Sequence, residues 1–160
     1  MAAKHSAGIL LFRRTNGVIE VLLGHMGGPF FARKDVGGWS IPKGERNPDE
    51  DPLHAAHREF TEELGLPVPA GDLIELGDAK QAGGKIVTIW ALAGDLDPAR
   101  MVPGTFDLEW PRGSGRIQEF PELDRVSWFD LDTAGTKIVG GQRPFLDRLA
   151  AELDETGTRG

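Results

Sequence analysis

Residues 44–66, GERNPDEDPLHAAHREFTEELGL, leave little freedom in how the middle of the chain can fold. Asp51 is placed to cap a helix, and Pro52 suits the first helical position, where a missing N–H costs nothing. Gly65 and Pro67 stand where such a helix ends. Between these limits Leu53, Ala56, Phe60 and Leu64 form an apolar stripe that spans roughly −60° to +20° at about 100° per residue. Glu59, Glu62 and Glu63 fall at roughly 180° to 280°, an acidic strip expected to flank the buried face at its solvent-open edge. Like charges at i, i+3 and i+4 repel by a few tenths of a kcal/mol per pair, so a divalent cation is the natural counterpart. His54 and His57 also have a spacing open to a metal, but oxygen ligands fit this stretch better.

At 160 residues, 39% hydrophobic and 27% charged, the chain has the size and balance of one soluble domain with a real core. A single domain is expected over residues 1–153, with 154–160 a polar, frayed tail. No apolar run approaches the roughly 20 residues of a membrane helix. The AGILLF run is too short for a signal-peptide core and is followed by Arg13 and Arg14. A cytoplasmic location without a membrane partner is therefore expected. Cysteine is absent, which excludes disulfides and thiolate metal sites and leaves oxygen or histidine to hold any metal. A net charge of −7 argues against a general nucleic-acid binder. It does not argue against a phosphorylated nucleotide, because metal ions bridge an acidic pocket to an anionic ligand. No feature of the sequence specifies an oligomeric state.

The rest of the chain reads as strands around this helix. Ser6–Arg14 and Val18–Met26 are apolar runs joined by Thr15-Asn16-Gly17, a hairpin signal. A loop follows, with Phe30 and Phe31 ahead of Arg33 and Lys34, and then a short strand from Trp39 into Gly44. Asp72–Lys80 and Lys85–Ala93 read as two more strands. Residues 95–116, rich in proline and glycine, read as a long irregular connection with Phe106, Trp110, Arg100, Arg112 and Arg116. A strand over Arg125–Phe129, a short helical turn from Asp130 and an amphipathic helix over Gln142–Leu153 complete the chain.

The central stretch resembles the signature of the Nudix hydrolases, G-x5-E-x7-R-E-U-x-E-E-x-G-U with U a bulky apolar residue. Gly44, Glu50, Arg58, Glu59, Phe60, Glu62, Glu63, Gly65 and Leu66 occupy its specified positions. The preceding WSIPKGE resembles the W-x-x-P-K-G lead-in of Nudix enzymes that act on diadenosine polyphosphates. The later EFPELDRVSWF resembles segments in which a glutamate before a strand adds a metal ligand or a base, with Glu119 the better match and Glu122 the reserve. The resemblance implies an α/β fold, the Nudix α/β/α sandwich around a mixed sheet, and a Mg²⁺ cofactor, with Mn²⁺ an alternative. It implies Glu59, Glu62, Glu63 and Glu119 as metal ligands, with Gly44 in the same metal-binding turn. Glu63 and Glu119 are then candidates for the general base, and Arg58 orients the glutamates. Lys43, Lys85, Gln81, Trp110 and Arg116 are the candidate substrate contacts.

Hydrolysis of a diphosphate linkage is the chemistry implied. Hard cations lower the pKa of a water nucleophile and neutralise the phosphate oxygens that repel it. A dinucleoside polyphosphate such as diadenosine tetraphosphate is the expected substrate. Oxidised nucleoside triphosphates are the alternative within the enzyme class, with inositol pyrophosphates and RNA 5′ ends next. A Nudix-fold nucleotide sensor without turnover is the alternative outside it, although such a module is expected to have lost a carboxylate.

Overall fold

A two-residue turn sets the register of the first strands. The structure, a computed structural model, describes residues 4–157. Strands β1 (His5–Thr15) and β2 (Val18–Met26) pair in antiparallel fashion across Asn16 and Gly17, which adopt φ of 53° and 79°. Positive φ at both central residues is what a tight hairpin needs, and Asn-Gly supplies it. The pairing persists only from Thr15↔Val18 to Phe12↔Val21, after which the strands splay. The segment that leads into the central helix fills the gap. Its first part, β3 (Trp39–Ser40), pairs with β2, and its second, β4 (Lys43–Glu45), pairs with β1 at Ser6, Ala7 and Gly8. Pro42 between them has no N–H to lose, and its carbonyl accepts from the Ile9 N–H.

Helix α1 (Pro52–Leu64) follows, with the expected bounds. The Asp51 carboxylate accepts from the backbone N–H groups of Leu53 and His54, and Gly65 closes the helix at φ 65°. Strands β5 (Leu73–Lys80) and β6 (Ile86–Ala93) form an antiparallel pair, and β6 lies parallel to β1. The region read as an irregular connection is partly ordered. It contains β7 (Thr105–Glu109), which pairs with β8 (Ile117–Pro121) as a two-stranded sheet of its own. Strand β9 (Leu123–Asp130) returns to β2, completing a mixed seven-stranded sheet. Helix α2 (Leu131–Lys137) and helix α3 (Arg143–Gly157) end the described chain. Helix α3 continues past Leu153, so the segment read as a frayed tail begins as helix; its residues 158–160 lie outside the described residues.

Alternation along β1 explains why its apolar run is continuous. Ala7, Ile9 and Leu11 face Ala55, Ala56, Phe60 and Leu64 of α1, while Leu10 and Phe12 face Phe145, Leu149 and Leu153 of α3. Both faces of the sheet are covered, as the α/β/α reading requires. No helix among the described residues is long and apolar enough to cross a membrane. Phe60 is fully buried, and burying a side chain of that size contributes about 1.5–3 kcal/mol.

Removing the helix cap separates local from tertiary stability. Asp51→Ala leaves the Leu53 and His54 N–H groups without that acceptor and is expected to cost about 1 kcal/mol. Urea unfolding checks this: the midpoint should fall with an unchanged slope.

Candidate active site

Helix α1 brings its carboxylates to the sheet through strand β4, and Gly44 sets how close they come. A Cβ at this position would fall on the Glu59 carboxylate, so the approach exists only because β4 has no side chain there. Glu63, one turn further on, is buried at 6% exposure. The Lys43 backbone N–H donates to its carboxylate, and the Lys43 ammonium adds a favourable charge. Burial nevertheless wins: it pushes the Glu63 carboxyl up to about 9, helped by the charges of Glu122 and Glu59. Burial likewise raises Glu59, opposed by its bond to Arg58 and reinforced by Glu62 and Glu122. Glu62 stays at the solvent edge. The expected acidic strip is present, but its Glu63 end lies inside the protein rather than along the rim.

Arg58 holds this group together. Its Nε and Nη2 donate to the two oxygens of Glu50 at 2.8 and 2.9 Å, and its Nη1 donates to Glu59 at 2.8 Å and Glu62 at 3.1 Å. Nη2 also reaches the Glu45 carbonyl at 3.1 Å, tying the end of β4 to the helix. The paired, fork-shaped contact with Arg58 holds the Glu50 carboxyl down to about 2. Each of the same two Glu50 oxygens has a further partner, the Asn47 N–H at 3.1 Å for one and a His54 ring nitrogen at 3.0 Å for the other. His57 is engaged with the Leu53 carbonyl at 3.0 Å. Both histidines are thus taken up within the helix and its loop.

The two candidate acids outside the helix part company. Glu119 lies in the middle of β8, directly across from Asp107. Alternation puts it on the hairpin face opposite Phe106 and Phe120, the face that meets the loop at Gly28. Glu122, one residue past β8, is the acid whose charge both Glu59 and Glu63 feel. Glu119 is the better match to the family segment; the Phe106 and Phe120 positions, read as a strand pair, give the signal that separates the two acids.

Lys43, Gln81 and Lys85 come together. They line one cleft of about 480 Å³ with Phe31, Lys34, Ser40 and Gln142, and no Asp or Glu lines it. Gln81 crosses to the Gly141 carbonyl at 2.8 Å, and buried Gln142 donates to the Ser40 hydroxyl oxygen at 3.0 Å. Trp110 and Arg116 are not in this lining. They stand at the far end of the β7–β8 hairpin, where the Trp110 N–H donates to the Arg116 carbonyl at 2.9 Å. Phe31, Lys34, Ser40 and Gln142 were not singled out as contacts from sequence, since residues so far apart in the chain meet only through the splayed hairpin.

A cation test follows from these donors. Among the described residues no three His, Asp or Glu side chains already converge as a metal-binding group, because Arg58 holds Glu59 and Glu62 to itself. The donor chemistry nonetheless fits a hard divalent ion: all the acids are oxygen donors, Glu63 is buried and Glu59 half-buried, and the space for Glu59 is kept open by Gly44.

A buried and a half-buried carboxylate beside a lysine-lined cleft suit the hydrolysis of phosphoric anhydrides, and proteins with that activity are similar to this chain. The NUDIX domain family matches residues 3–149. An RNA pyrophosphohydrolase of Rhodospirillum rubrum is 31% identical over 164 residues, covering 92% of this chain and 90% of its own. A Caenorhabditis elegans Ap4A hydrolase, solved as a binary complex, superposes with a TM-score of 0.64 at 23% identity, covering 94% of this chain and 98% of its own. The NUDIX domain of Shewanella oneidensis NrtR, solved with ADP ribose, superposes with a TM-score of 0.63 at 15% identity, covering 96% and 90%. The chain belongs to the Nudix family. It is a pyrophosphohydrolase of that family.

Two variants test the geometry. Gly44→Ala displaces the Glu59 carboxylate and is expected to lower kcat about 100-fold, the scale set by a misplacement of about 1 Å; thermal unfolding should show the fold retained. For Glu50 the sign is fixed by a carboxyl that titrates near 2 folded against an ordinary 4.5. Its contribution is fully present above the ordinary value and is lost as pH falls through the folded one. Glu50→Gln should therefore lower the unfolding midpoint most at neutral pH, with the difference from wild type closing between about pH 4 and pH 2.

Proposed function

We propose that the protein hydrolyses the phosphate chain of a dinucleoside polyphosphate such as diadenosine tetraphosphate, with Mg²⁺ or Mn²⁺ as cofactor. The observation that carries this reading is the charge partition at the site. Lys34, Lys43 and Lys85 line a cleft free of Asp and Glu, and Lys43 also faces Glu63 in the acidic group. An anionic chain laid along the lysines would end at the carboxylates, which is where its hydrolysis needs a cation and a base.

Glu59, Glu63 and Glu122 are the residues we assign to the cation, with Glu62 at the open edge and Gly44 giving the clearance. A cation bound there supplies Lewis-acid polarisation of the phosphate and a more acidic water. Lys43 neutralises a phosphate oxygen as a point charge, and Lys85 and Lys34 hold the chain beyond it. Glu63 is the proposed general base: a carboxylate that takes up a proton readily, buried beside the reacting chain, suits that task. Arg58 orients Glu59 through the Glu50 bond and leaves the substrate to the lysines. Glu119 is assigned no part in this scheme, and Glu122 takes the place first given to it.

A second reading has one specific support. The Rhodospirillum rubrum relative, at 31% identity over most of both chains, is named an RNA pyrophosphohydrolase. A 5′-triphosphorylated RNA end presents the same anhydride bond.

A hydrolysis panel read by separating the nucleotide, RNA and pyrophosphate products decides between them. With Mg²⁺ or Mn²⁺, diadenosine tetraphosphate, ADP-ribose, an oxidised dGTP and a 5′-triphosphate RNA would be compared by kcat/KM. Highest turnover on diadenosine tetraphosphate is expected; highest turnover on the RNA would install the second reading, and binding without turnover on any member would sink the hydrolase mechanism. In the same assay Glu63→Gln and Glu122→Gln should each lose about 100-fold or more, while Glu119→Gln stays within a few-fold of wild type.

A further inference from the structure

Between the lysine-lined cleft and the tip of the β7–β8 hairpin runs a row of aromatic and basic side chains that the chemistry above leaves unused. Phe31 lines the cleft. Phe30, the next residue, is 57% exposed and meets the half-buried Trp110 ring edge-on at 5.3 Å. Phe106 follows on the same hairpin face, paired with Phe120 at 6.1 Å. Arg33, Arg112 and Arg116 lie beside these rings in the chain, exposed, and among the described residues none of them makes an ion pair. A single exposed phenylalanine needs no explanation. One joined to a tryptophan, continuous with a ligand cleft and accompanied by unpaired guanidinium groups is a different matter.

The two pieces that carry this row are held in place. Buried His25 faces acceptors from both ring nitrogens, the Lys34 carbonyl at 2.6 Å and the Asp124 carboxylate at 2.9 Å. The Gly27 N–H donates to the Glu122 carbonyl at 2.9 Å, and a Cβ on Gly27 would collide with Pro121. The aromatic loop is therefore fastened at one end to the foot of the hairpin and at the other to β2 and β9.

We infer that the Phe30–Trp110 ledge receives the second nucleobase of a two-base substrate, at the far end of the phosphate chain that the cleft lysines hold. A cleft of about 480 Å³ is at the small end of ligand pockets, so a two-base substrate extends beyond it. Every base has a face that stacks on an aromatic ring, and guanidinium groups add cation–π attraction and reach the intervening phosphates. The inference rests on the polyphosphate reading given above. The second base has two sources with the same chemistry, the far nucleoside of a dinucleoside polyphosphate or the second nucleotide of an RNA 5′ end.

Calorimetry on the Glu63→Gln protein with Mg²⁺ separates the possibilities without turnover. Diadenosine tetraphosphate would be compared with adenosine 5′-tetraphosphate, and 5′-triphosphorylated ApG with ATP, so that each pair differs by one base. The two-base member of one pair should bind about tenfold tighter, the scale of one base–aromatic stack. That margin should vanish on adding Trp110→Ala or Phe30→Ala and persist with Trp110→Phe, while the one-base probe is bound equally well throughout. The pair that shows the margin identifies the source. Equal affinity within both pairs, a margin that survives both alanine variants, or equal weakening of one- and two-base probes overturns the ledge. If neither one-base probe binds, the polyphosphate reading itself fails and the ledge with it.

Discussion

Arg58 is the contact on which the site depends. Glu59, Glu62 and Glu63 share one helix with Glu50 at its entrance, and such a group of like charges would repel itself out of position. The Arg58 guanidinium spreads its donors over Glu50, Glu59 and Glu62 and over the Glu45 carbonyl. Removing this donor would leave Glu50 and Glu59 without their charged partner. Arg58 does not reach Glu63, and there the raised carboxyl records what an unneutralised acid costs when buried. Arg58 thus answers three of the four carboxylates and leaves Glu63 without a guanidinium partner.

Net charge is a poor guide to what such a protein binds. The chain carries −7 overall, yet its cleft is lined by lysines and no acids. The splayed hairpin produces this separation. Strand β4 enters the gap between β1 and β2 with Lys43 next to Gly44, so one residue serves the basic cleft while its neighbour admits the acidic helix. A sum over the whole surface averages away a polarity that acts over a few ångströms, well inside the screening length of about 8–10 Å.

What was legible from the residues was local. The Asn16-Gly17 turn, the Asp51 and Gly65 caps and the alternating runs of β5 and β6 each carry their cause within a few residues, and each is found where expected. The β7–β8 hairpin was not legible, because Pro103, Gly104, Pro111, Gly113 and Gly115 mask two five-residue strands whose pairing shows only when Phe106 is set against Phe120. The same hairpin sets Glu119 and Glu122 apart, since three residues along an extended chain change the face. The cleft was half legible. Lys43 stood out by its place in the W-x-x-P-K-G lead-in and Gln81 and Lys85 by flanking a turn, whereas Ser40 and Gln142 meet 102 positions apart, a distance no local pattern spans.

The hairpin that escaped the sequence is also the element that completes the acidic group. At its foot the Glu122 N–H donates to the Gly104 carbonyl at 2.8 Å, and just before β7 the Val102 N–H donates to the Leu64 carbonyl at 2.9 Å. The second contact caps the last turn of α1, and Gly104 lies so close to the Glu62 carbonyl that a Cβ would stand 2.7 Å from it. Two hydrogen bonds and one close approach thus register Glu122 against the helix that carries Glu59 and Glu63. A carboxylate supplied from a separate loop would have to be ordered afresh each time, at a cost in backbone entropy of about 1–2 kcal/mol per residue. Tying it to the helix end through a strand pair removes that cost, so Glu122 is held beside Glu59 and Glu63 by the same contacts that close the end of the helix.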